Sequence, residues 1–139
     1  MTEQLPVFVY GTLRPGGSNY AWALRGRTAC EEPARMRGLA LYEGPGYPYA
    51  VAPAEGEVHG ELVLPAPARY AEVLRVLDRL EGYAPGAPDN LYERVTAEAV
   101  RPDGSTVRAW VYLAAAPLAD KLRAAGTMIA GGDWADRVR

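Results

Sequence analysis

Hydrophobic side chains recur at spacings of three and four between residues 68 and 80, which predicts an amphipathic helix there. The apolar positions are Tyr70, Val73, Leu74, Leu77 and Leu80. Glu81 continues this stripe, because at about 100° per residue it falls within about 40° of the centre of the stripe. A carboxylate on the core face of a helix must be buried, paired or used chemically.

Two physical effects would raise the pKa of Glu81 in a buried position. Burial disfavours the charged form, and the negative end of the helix dipole acts in the same direction. A glutamate with a pKa near neutrality can take up and return a proton. Alternatively, position 81 lies past the helix end, with its side chain in water or paired with Arg94. The spacing alone leaves both interpretations open.

The other apolar runs are short and predict β-strands. We expect strands at 5–10, 28–35, 37–42, 49–52, 58–64, 91–100 and 106–113, with Asp103-Gly104 as a hairpin turn between the last two. Short helices are predicted at 19–26, with Asn19 as the N-cap, and at 117–125. The stretch 84–90 predicts an exposed loop. Many short strands with one substantial helix predict an α+β fold, a small mixed β-barrel or strongly bent sheet with few helices.

Composition narrows the class of protein. The chain has 139 residues, for which we expect a single domain over 1–139. A net charge of −2 without a basic run argues against a nucleic-acid partner. No apolar stretch approaches the roughly 18 residues of a membrane span, and the first residues lack a secretory pattern. With Cys30 as the one cysteine, which fits a reducing compartment, we expect a cytoplasmic protein.

The scarcity of histidine and cysteine restricts the possible chemistry. One histidine and one cysteine cannot build a Cys/His zinc site within one chain. A nucleophilic triad would have to use His59, whose position in an alternating strand predicts a half-exposed side chain. Cys30 is expected to be a small packed side chain. We therefore expect carboxylate or tyrosine chemistry with backbone donors, without metal or cofactor.

A glycine-rich turn follows the first predicted strand, in the run VFVYGTLRPGGSN at 7–19. Consecutive backbone N–H groups in such a turn can form a concave site for a carboxylate or phosphate. Gly11 would let the backbone approach a ligand closely, and Arg14 could add a positive charge. The spacing and the lysine of a nucleotide-binding P-loop are missing. A purely structural turn is the alternative.

Four motifs occur together along the chain. The run at 7–19 is followed by VLDRLEGY at 76–83, LYERV at 91–95 and GGDW at 131–134. This combination resembles the γ-glutamylcyclotransferase-like (AIG2-like) family over nearly the whole chain. The pair YGTLRxxxxN and LDxLEGY is the specific part of the resemblance. Family members fold as a mixed β-barrel with few helices, so the resemblance implies that architecture here.

The resemblance also implies an activity. Characterised members act on γ-glutamyl compounds, in which the α-amino group of the substrate attacks its own γ-carbonyl and releases 5-oxoproline and a free amine or amino acid. By this resemblance the turn backbone at Tyr10, Gly11, Thr12 and Leu13 binds the substrate, and Glu81 is catalytic. The implied protein is a cyclising acyltransferase or lyase without a cofactor. Its partner is a small-molecule γ-glutamyl substrate.

Several other residues are weaker candidates. Tyr112 could hydrogen-bond the substrate inside the barrel, or could simply be packed. Arg94 could hold Glu81, line the cavity or lie exposed, and a tight pair with Glu81 would lower the pKa of that glutamate and argue against the mechanism. Asp78 is about 100° from the centre of the stripe and is expected on the flank of the helix, where it could pair with an arginine. The GGDW segment at 131–134 could close over the pocket or only anchor the terminus.

A second function stays open. A non-catalytic binding protein could use the same turn to hold a carboxylate, because a fold does not guarantee an activity. A desolvated glutamate on the apolar face of the helix favours the enzyme, since a passive binder would gain little from it. Selectivity for the group attached to the glutamyl end is expected to come from loops 43–56 and 84–90. No feature of the sequence sets an oligomeric state.

Overall fold

Five of the seven strands close into a barrel in the computed structural model, which describes residues 4–134. The strands are β1 (Val7–Val9), β2 (Thr28–Arg37), β3 (Ala40–Glu43), β4 (Pro48–Val51), β5 (Glu57–Pro65), β6 (Tyr92–Val100) and β7 (Thr106–Ala114). Barrel neighbours follow the order β1-β5-β2-β6-β7, and β3 and β4 form a separate two-stranded sheet. β1 closes the barrel, because it pairs antiparallel with β5 and parallel with β7. The expected boundaries of the domain, 1 and 139, lie outside the described residues.

Few helices accompany the strands, as expected. They are α1 (Tyr20–Ala23), α2 (Tyr70–Leu80) and α3 (Ala116–Ala125), with 3-10 turns at Pro67–Arg69 and Ala130–Gly132. The predicted helix at 68–80 is therefore confirmed as a 3-10 turn followed by α2. None of the helices within residues 4–134 combines the length and apolar character needed to cross a membrane.

The predicted helix at 19–26 is wrong in length, because α1 has only four residues. Asn19 makes no side-chain capping hydrogen bond. Its Nδ2 instead donates to Thr12 Oγ1 at 2.9 Å, and its Oδ1 accepts from Trp22 Nε1 at 2.8 Å. Asn19 therefore ties α1 to the turn that follows β1.

The predicted hairpin of β6 and β7 is confirmed, with Tyr92 opposite Ala114 and Val100 opposite Thr106. Gly104 has a φ of 89°, a left-handed conformation that favours glycine. The carboxylate of Asp103 accepts hydrogen bonds from the backbone N–H and the hydroxyl of Ser105. Local turn chemistry thus accounts for this hairpin.

One expectation about exposure is wrong, and another is largely confirmed. Cys30 lies exposed on β2 instead of packed. The loop 84–90 is largely exposed, but its last residue, Asn90, is buried. The side chain of Asn90 accepts from Ala84 N at 3.0 Å and donates to Ala84 O at 2.8 Å, so it closes the loop.

The core divides into two clusters that share β1. Phe8 packs in a cluster that draws side chains from all five barrel strands. Val7 and Val9 point into the other cluster, where Val73 and Leu77 of α2 are fully buried. Burial of both faces explains the continuous apolar run of β1. It also places the end of β1 against the end of α2.

Candidate active site

A cavity of about 370 Å³ lies where the end of β1 meets the end of α2. Its lining includes Tyr10, Gly11, Thr12 and Leu13 after β1, Leu80, Glu81 and Gly82 at the end of α2, and Tyr92 and Tyr112 from the barrel strands. The predicted substrate-binding turn and the predicted catalytic glutamate therefore share one cavity, although they are far apart in the chain. Tyr112, a weaker candidate, lies in the same lining.

Glu81 is the residue at which α2 ends. Its backbone N–H still donates to Leu77 O at 2.9 Å, so the helical geometry carries the apolar stripe as far as position 81. Gly82 follows with a φ of 66°, which favours glycine and ends the helix. The Glu81 side chain is partly buried instead of extended into water.

Burial raises the pKa of Glu81 to about 7. Within residues 4–134 no cation pairs with this carboxylate, and no donor hydrogen-bonds to it. Near neutral pH both the protonated and the ionised forms are therefore populated. That balance suits a group that accepts a proton in one step and returns it in another.

Buried tyrosines surround this carboxylate, and their hydroxyl groups already donate hydrogen bonds to other protein atoms. Tyr10 donates to Tyr112 O at 2.5 Å, Tyr92 donates to Pro48 O at 2.9 Å, and Tyr112 donates to Asp78 Oδ1 at 2.7 Å. Burial, followed by nearby negative groups that include Glu81, raises the pKa of each tyrosine. These hydroxyls stay neutral, and towards a ligand their oxygens can act only as acceptors.

The turn after β1 supplies hydrogen-bond donors, whereas the tyrosine oxygens are acceptors. The carbonyls of Gly11 and Thr12 accept from Arg14 N at 3.1 Å and from Asn19 N at 2.9 Å. The N–H groups of Gly11, Thr12 and Leu13 donate to no other atom within residues 4–134. Consecutive free amides of this kind can form a concave site for a carboxylate.

The reason for glycine at position 11 differs from the one expected. A Cβ on Gly11 would lie 2.7 Å from Pro48 Cδ and 2.9 Å from Pro48 Cγ. Glycine therefore allows the turn to approach the wall of the cavity at β4. A side chain at position 11 would clash with Pro48, so the contact with Pro48, and not approach to a ligand, explains the glycine.

Arg94 does not line the cavity and does not pair with Glu81. Its Nε lies 3.4 Å from Asp78 Oδ1, and the two side chains are 16% and 18% exposed. The guanidinium also lies 4.5 Å from the ring centroid of Trp110 and 5.7 Å from that of Tyr83. The pair that would have lowered the pKa of Glu81 is therefore not formed. Asp78 pairs with an arginine, as the helical spacing allowed.

Arg14 also lies outside the lining of the cavity. Its guanidinium binds the carboxylates of Glu61 and Asp133, so the structure does not bring it to the ligand position expected from the sequence. The GGDW segment, which contributes Asp133, does not line the cavity either. Of the two outcomes considered for this segment, the contacts favour anchoring over closure.

Sequence reasoning missed several residues of the cavity, including Arg79, Tyr92 and Asn19. Tyr92 was overlooked although it lies in the LYERV motif, and Asn19 was interpreted only as a helix cap although it completes YGTLRxxxxN. His59 is partly exposed, with its Nε2 3.8 Å from Glu57 Oε1, as expected for a strand histidine. No group of three or more His, Cys, Asp or Glu side chains suited to a metal ion occurs within residues 4–134.

Sequence comparison identifies relatives of the chain. A family model described as gamma-glutamyl cyclotransferase, AIG2-like, matches residues 7–136. The gamma-L-glutamyl-butirosin B gamma-glutamyl cyclotransferase of Niallia circulans is 32% identical over 109 residues. That alignment covers 77% of this chain and 65% of the relative. The chain thus spans just under two thirds of the length of that curated relative.

Solved structures share the fold. Protein PH0828 from Pyrococcus horikoshii matches with a TM-score of 0.65 at 23% identity, covering 96% of this chain and 92% of that one. An aig2-like protein from Mus musculus matches with a TM-score of 0.64 at 22% identity, covering 82% and 79%. At these identities the likeness concerns the fold alone. It confirms the expected α+β barrel with few helices.

Substitution of Asp78 by alanine tests the ion pair beside the cavity. The change leaves the largely buried Arg94 guanidinium without its counter-charge and the Tyr112 hydroxyl without its acceptor. We expect the free energy of unfolding to fall by about 3 kcal/mol in denaturant titrations. Asp120→Ala is the matched control, because Asp120 is 78% exposed in its pair with Arg123 and should change stability by less than about 0.5 kcal/mol. Equal losses for the two variants would contradict the structural role of Asp78.

Glu81→Gln tests the burial of the carboxylate through the pH dependence of stability. With the folded pKa raised from 4.5 to about 7, the folded state binds more protons than the unfolded state between these values. Wild-type stability therefore falls as pH rises through this window, whereas the glutamine variant lacks this contribution. We expect the stability advantage of Glu81→Gln over wild type to grow by about 1–3 kcal/mol between pH ~4 and ~8.

Denaturant titrations across this pH range measure the difference directly. Glu72→Gln serves as the control, because it makes the same substitution at an exposed position of the same helix. A difference between Glu81→Gln and wild type that does not vary with pH would show that the carboxylate is solvated.

Proposed function

The chain belongs to the gamma-glutamyl cyclotransferase, AIG2-like family, and on this premise we propose that it is a cofactor-independent γ-glutamyl cyclotransferase. Its substrate is a small molecule with a γ-glutamyl end, and its products are 5-oxoproline and a free amine or amino acid. One observation carries the proposal. A desolvated glutamate with a pKa of about 7 shares a cavity with three free backbone amides.

Substrate binding divides between donors and acceptors. The amides of Gly11, Thr12 and Leu13 bind the α-carboxylate of the glutamyl group, while Glu81 and the tyrosine oxygens accept from its ammonium. Nucleophile and electrophile belong to the same molecule. Binding therefore only has to fold the glutamyl chain so that the nitrogen meets the γ-carbonyl carbon, an effect that can contribute several kcal/mol. No serine or cysteine nucleophile is needed.

Glu81 moves the proton in this mechanism. An ammonium group has no lone pair, so the ionised carboxylate first removes a proton from it. The free amine attacks the γ-carbonyl carbon and forms the new C–N bond of the ring. The protonated Glu81 then donates a proton to the departing nitrogen as the original amide C–N bond breaks. The ring nitrogen, which still carries two protons after the attack, passes one of them to the released amine and becomes the lactam N–H of 5-oxoproline. General acid–base catalysis of this kind contributes about 10²–10⁴-fold.

The group attached to the glutamyl end is left open by this mechanism. The Niallia circulans relative is named for γ-L-glutamyl-butirosin B. Of that compound, only the γ-glutamyl end is part of the proposal for this chain, because the turn amides and Glu81 would contact only that end. Leu91, which is half-exposed, and Tyr47 also line the cavity. The attached group would leave the cavity beside these two residues.

We also infer that residues 1–139 form one domain of a cytoplasmic protein. β1 contributes to both core clusters, so barrel and helices share one interior. Cys30 is an exposed free thiol, which fits a reducing compartment. A passive carboxylate-binding protein is the alternative function, supported by the three free amides of the turn. The unpaired, partly buried Glu81 favours the enzyme, because it would weaken the binding of an anion.

The test is release of 5-oxoproline from a panel of γ-glutamyl compounds. We expect Glu81→Gln to retain substrate binding and to lose turnover by at least about a hundredfold, because the amide can neither accept nor return the proton. Glu72→Gln, on the exposed face of the same helix, should turn over like wild type. Wild-type turnover in Glu81→Gln would remove Glu81 from the mechanism. Binding without turnover by wild type across the panel would favour the passive receptor.

A further inference from the structure

Arg14 directly follows the substrate-binding turn, but its guanidinium is occupied by two carboxylates. Nε donates to Glu61 Oε1 at 2.7 Å and Nη2 donates to Glu61 Oε2 at 3.2 Å, in a bidentate arrangement. Nη1 donates to Asp133 Oδ1 at 2.6 Å. The three side chains are only 17%, 19% and 28% exposed, respectively. Each of the three guanidinium nitrogens donates one hydrogen bond, and Arg14 lies outside the lining of the cavity, so it cannot reach a substrate anion there without leaving these contacts.

The three residues, called here the Arg14 clamp, come from distant parts of the chain. Arg14 extends the turn after β1, and Glu61 lies on β5 directly opposite Val9 of β1. Asp133 follows the 3-10 turn at Ala130–Gly132. The clamp therefore ties the substrate-binding turn to the neighbouring barrel strand and to the C-terminal segment.

The glycines of the GGDW motif are explained by this connection. Gly131 and Gly132 have φ values of 85° and 65°, which favour glycine. A Cβ on Gly132 would lie 2.0 Å from Glu57 O on β5. Only glycine at this position lets the chain pass close enough to β5 to bring Asp133 to Arg14.

The turn itself needs such support. It continues through Pro15, Gly16 and Gly17, and glycines lose the most conformational freedom when a segment is ordered. Four backbone hydrogen bonds join residues of the segment 11–20 to one another, but none of them uses the amides at 11–13 as donors. A carboxylate site made of free amides binds well only if those amides are held in place before the ligand arrives.

We propose that Glu61 and Asp133 position the substrate-binding turn through Arg14, so that the GGDW segment controls substrate affinity without touching the substrate. The inference rests on the proposed function for the identity of the substrate. Arg14, Glu61 and Asp133 are positioning residues here, and Glu81 remains the group that moves the proton.

A direct role of Arg14 in binding makes the opposite prediction. If Arg14 itself held the carboxylate of the substrate, removal of the charge on Asp133 would release Nη1 of the guanidinium, with Glu61 still holding Nε and Nη2, and would leave affinity unchanged or improved. If Arg14 positions the turn, the same change loosens the turn and weakens binding. Asp133→Asn therefore separates the two roles, since asparagine keeps the shape of the side chain and loses its charge.

The experiment compares steady-state kinetics of Asp133→Asn, Arg14→Gln and the double variant on the γ-glutamyl compound that wild type turns over fastest. We expect KM to rise about tenfold in each single variant, while kcat changes less than about threefold and keeps its pH profile. The double variant should be no worse than Arg14→Gln alone, because Arg14→Gln already removes the interaction between Arg14 and Asp133. Asp120→Asn, an exposed carboxylate paired with Arg123 on α3, is the control and should behave like wild type.

Three results would overturn the proposal: an unchanged or lower KM in Asp133→Asn, a loss confined to kcat, or additive effects in the double variant. If Asp133→Asn does not fold, as judged by circular dichroism, Arg14→Lys takes its place. It retains the charge but lacks the bidentate geometry, and KM should still rise.

A binding arm separates this proposal from the proposed function. The probe is 5-oxoproline, which carries the carboxylate that the turn would bind, and its affinity is measured by calorimetry on wild type and on Asp133→Asn. Absence of turnover in wild type would refute the activity, whereas weaker 5-oxoproline binding in Asp133→Asn would still support the clamp. No binding of 5-oxoproline to wild type, or equal binding by the two proteins, would overturn the clamp.

Discussion

Desolvation of one carboxylate at the end of α2 is the constraint on which the site depends. The helix packs through Tyr70, Val73 and Leu77, and this packing decides which way the whole apolar stripe faces. Glu81 is the next position on that stripe, so the burial of its neighbours holds it out of water. Gly82, with its left-handed backbone conformation, then ends the helix directly after Glu81. The energy that buries Glu81 therefore comes from the core, and the raised pKa follows from it.

The residues around Glu81 do not offset the rise in its pKa that desolvation causes. Arg94, the arginine that the sequence offered as a partner of Glu81, instead pairs with Asp78 and lies over two aromatic rings, so it does not neutralise Glu81. The tyrosine hydroxyls donate their hydrogen bonds to other protein atoms, so they do not donate to the carboxylate of Glu81. The turn after β1 contributes free backbone donors to the same cavity. The proposed mechanism therefore assigns the carboxylate and the ammonium of the glutamyl group to different parts of one cavity.

Local patterns predicted much of this arrangement, and long-range pairing escaped them. The period of α2 identified both the helix and the unusual position of Glu81, and the Asp103-Gly104 turn identified the hairpin of β6 and β7. The partners of Arg14 could not be inferred, because Glu61 and Asp133 lie far away in sequence and no periodicity links them. For the same reason Gly11 was assigned to ligand approach, although its missing Cβ serves contact with Pro48.

A direct titration of Glu81 tests the central claim. Carbon-detected NMR of protein labelled at the glutamate side-chain carboxyl carbons would follow each glutamate with pH, and the Glu81 signal is assigned by its loss in Glu81→Gln. The account predicts that this carboxyl titrates with a pKa of about 7. A pKa near the ordinary value of 4.5 would contradict it, because the carboxylate would then be solvated and unsuited to carry the proton.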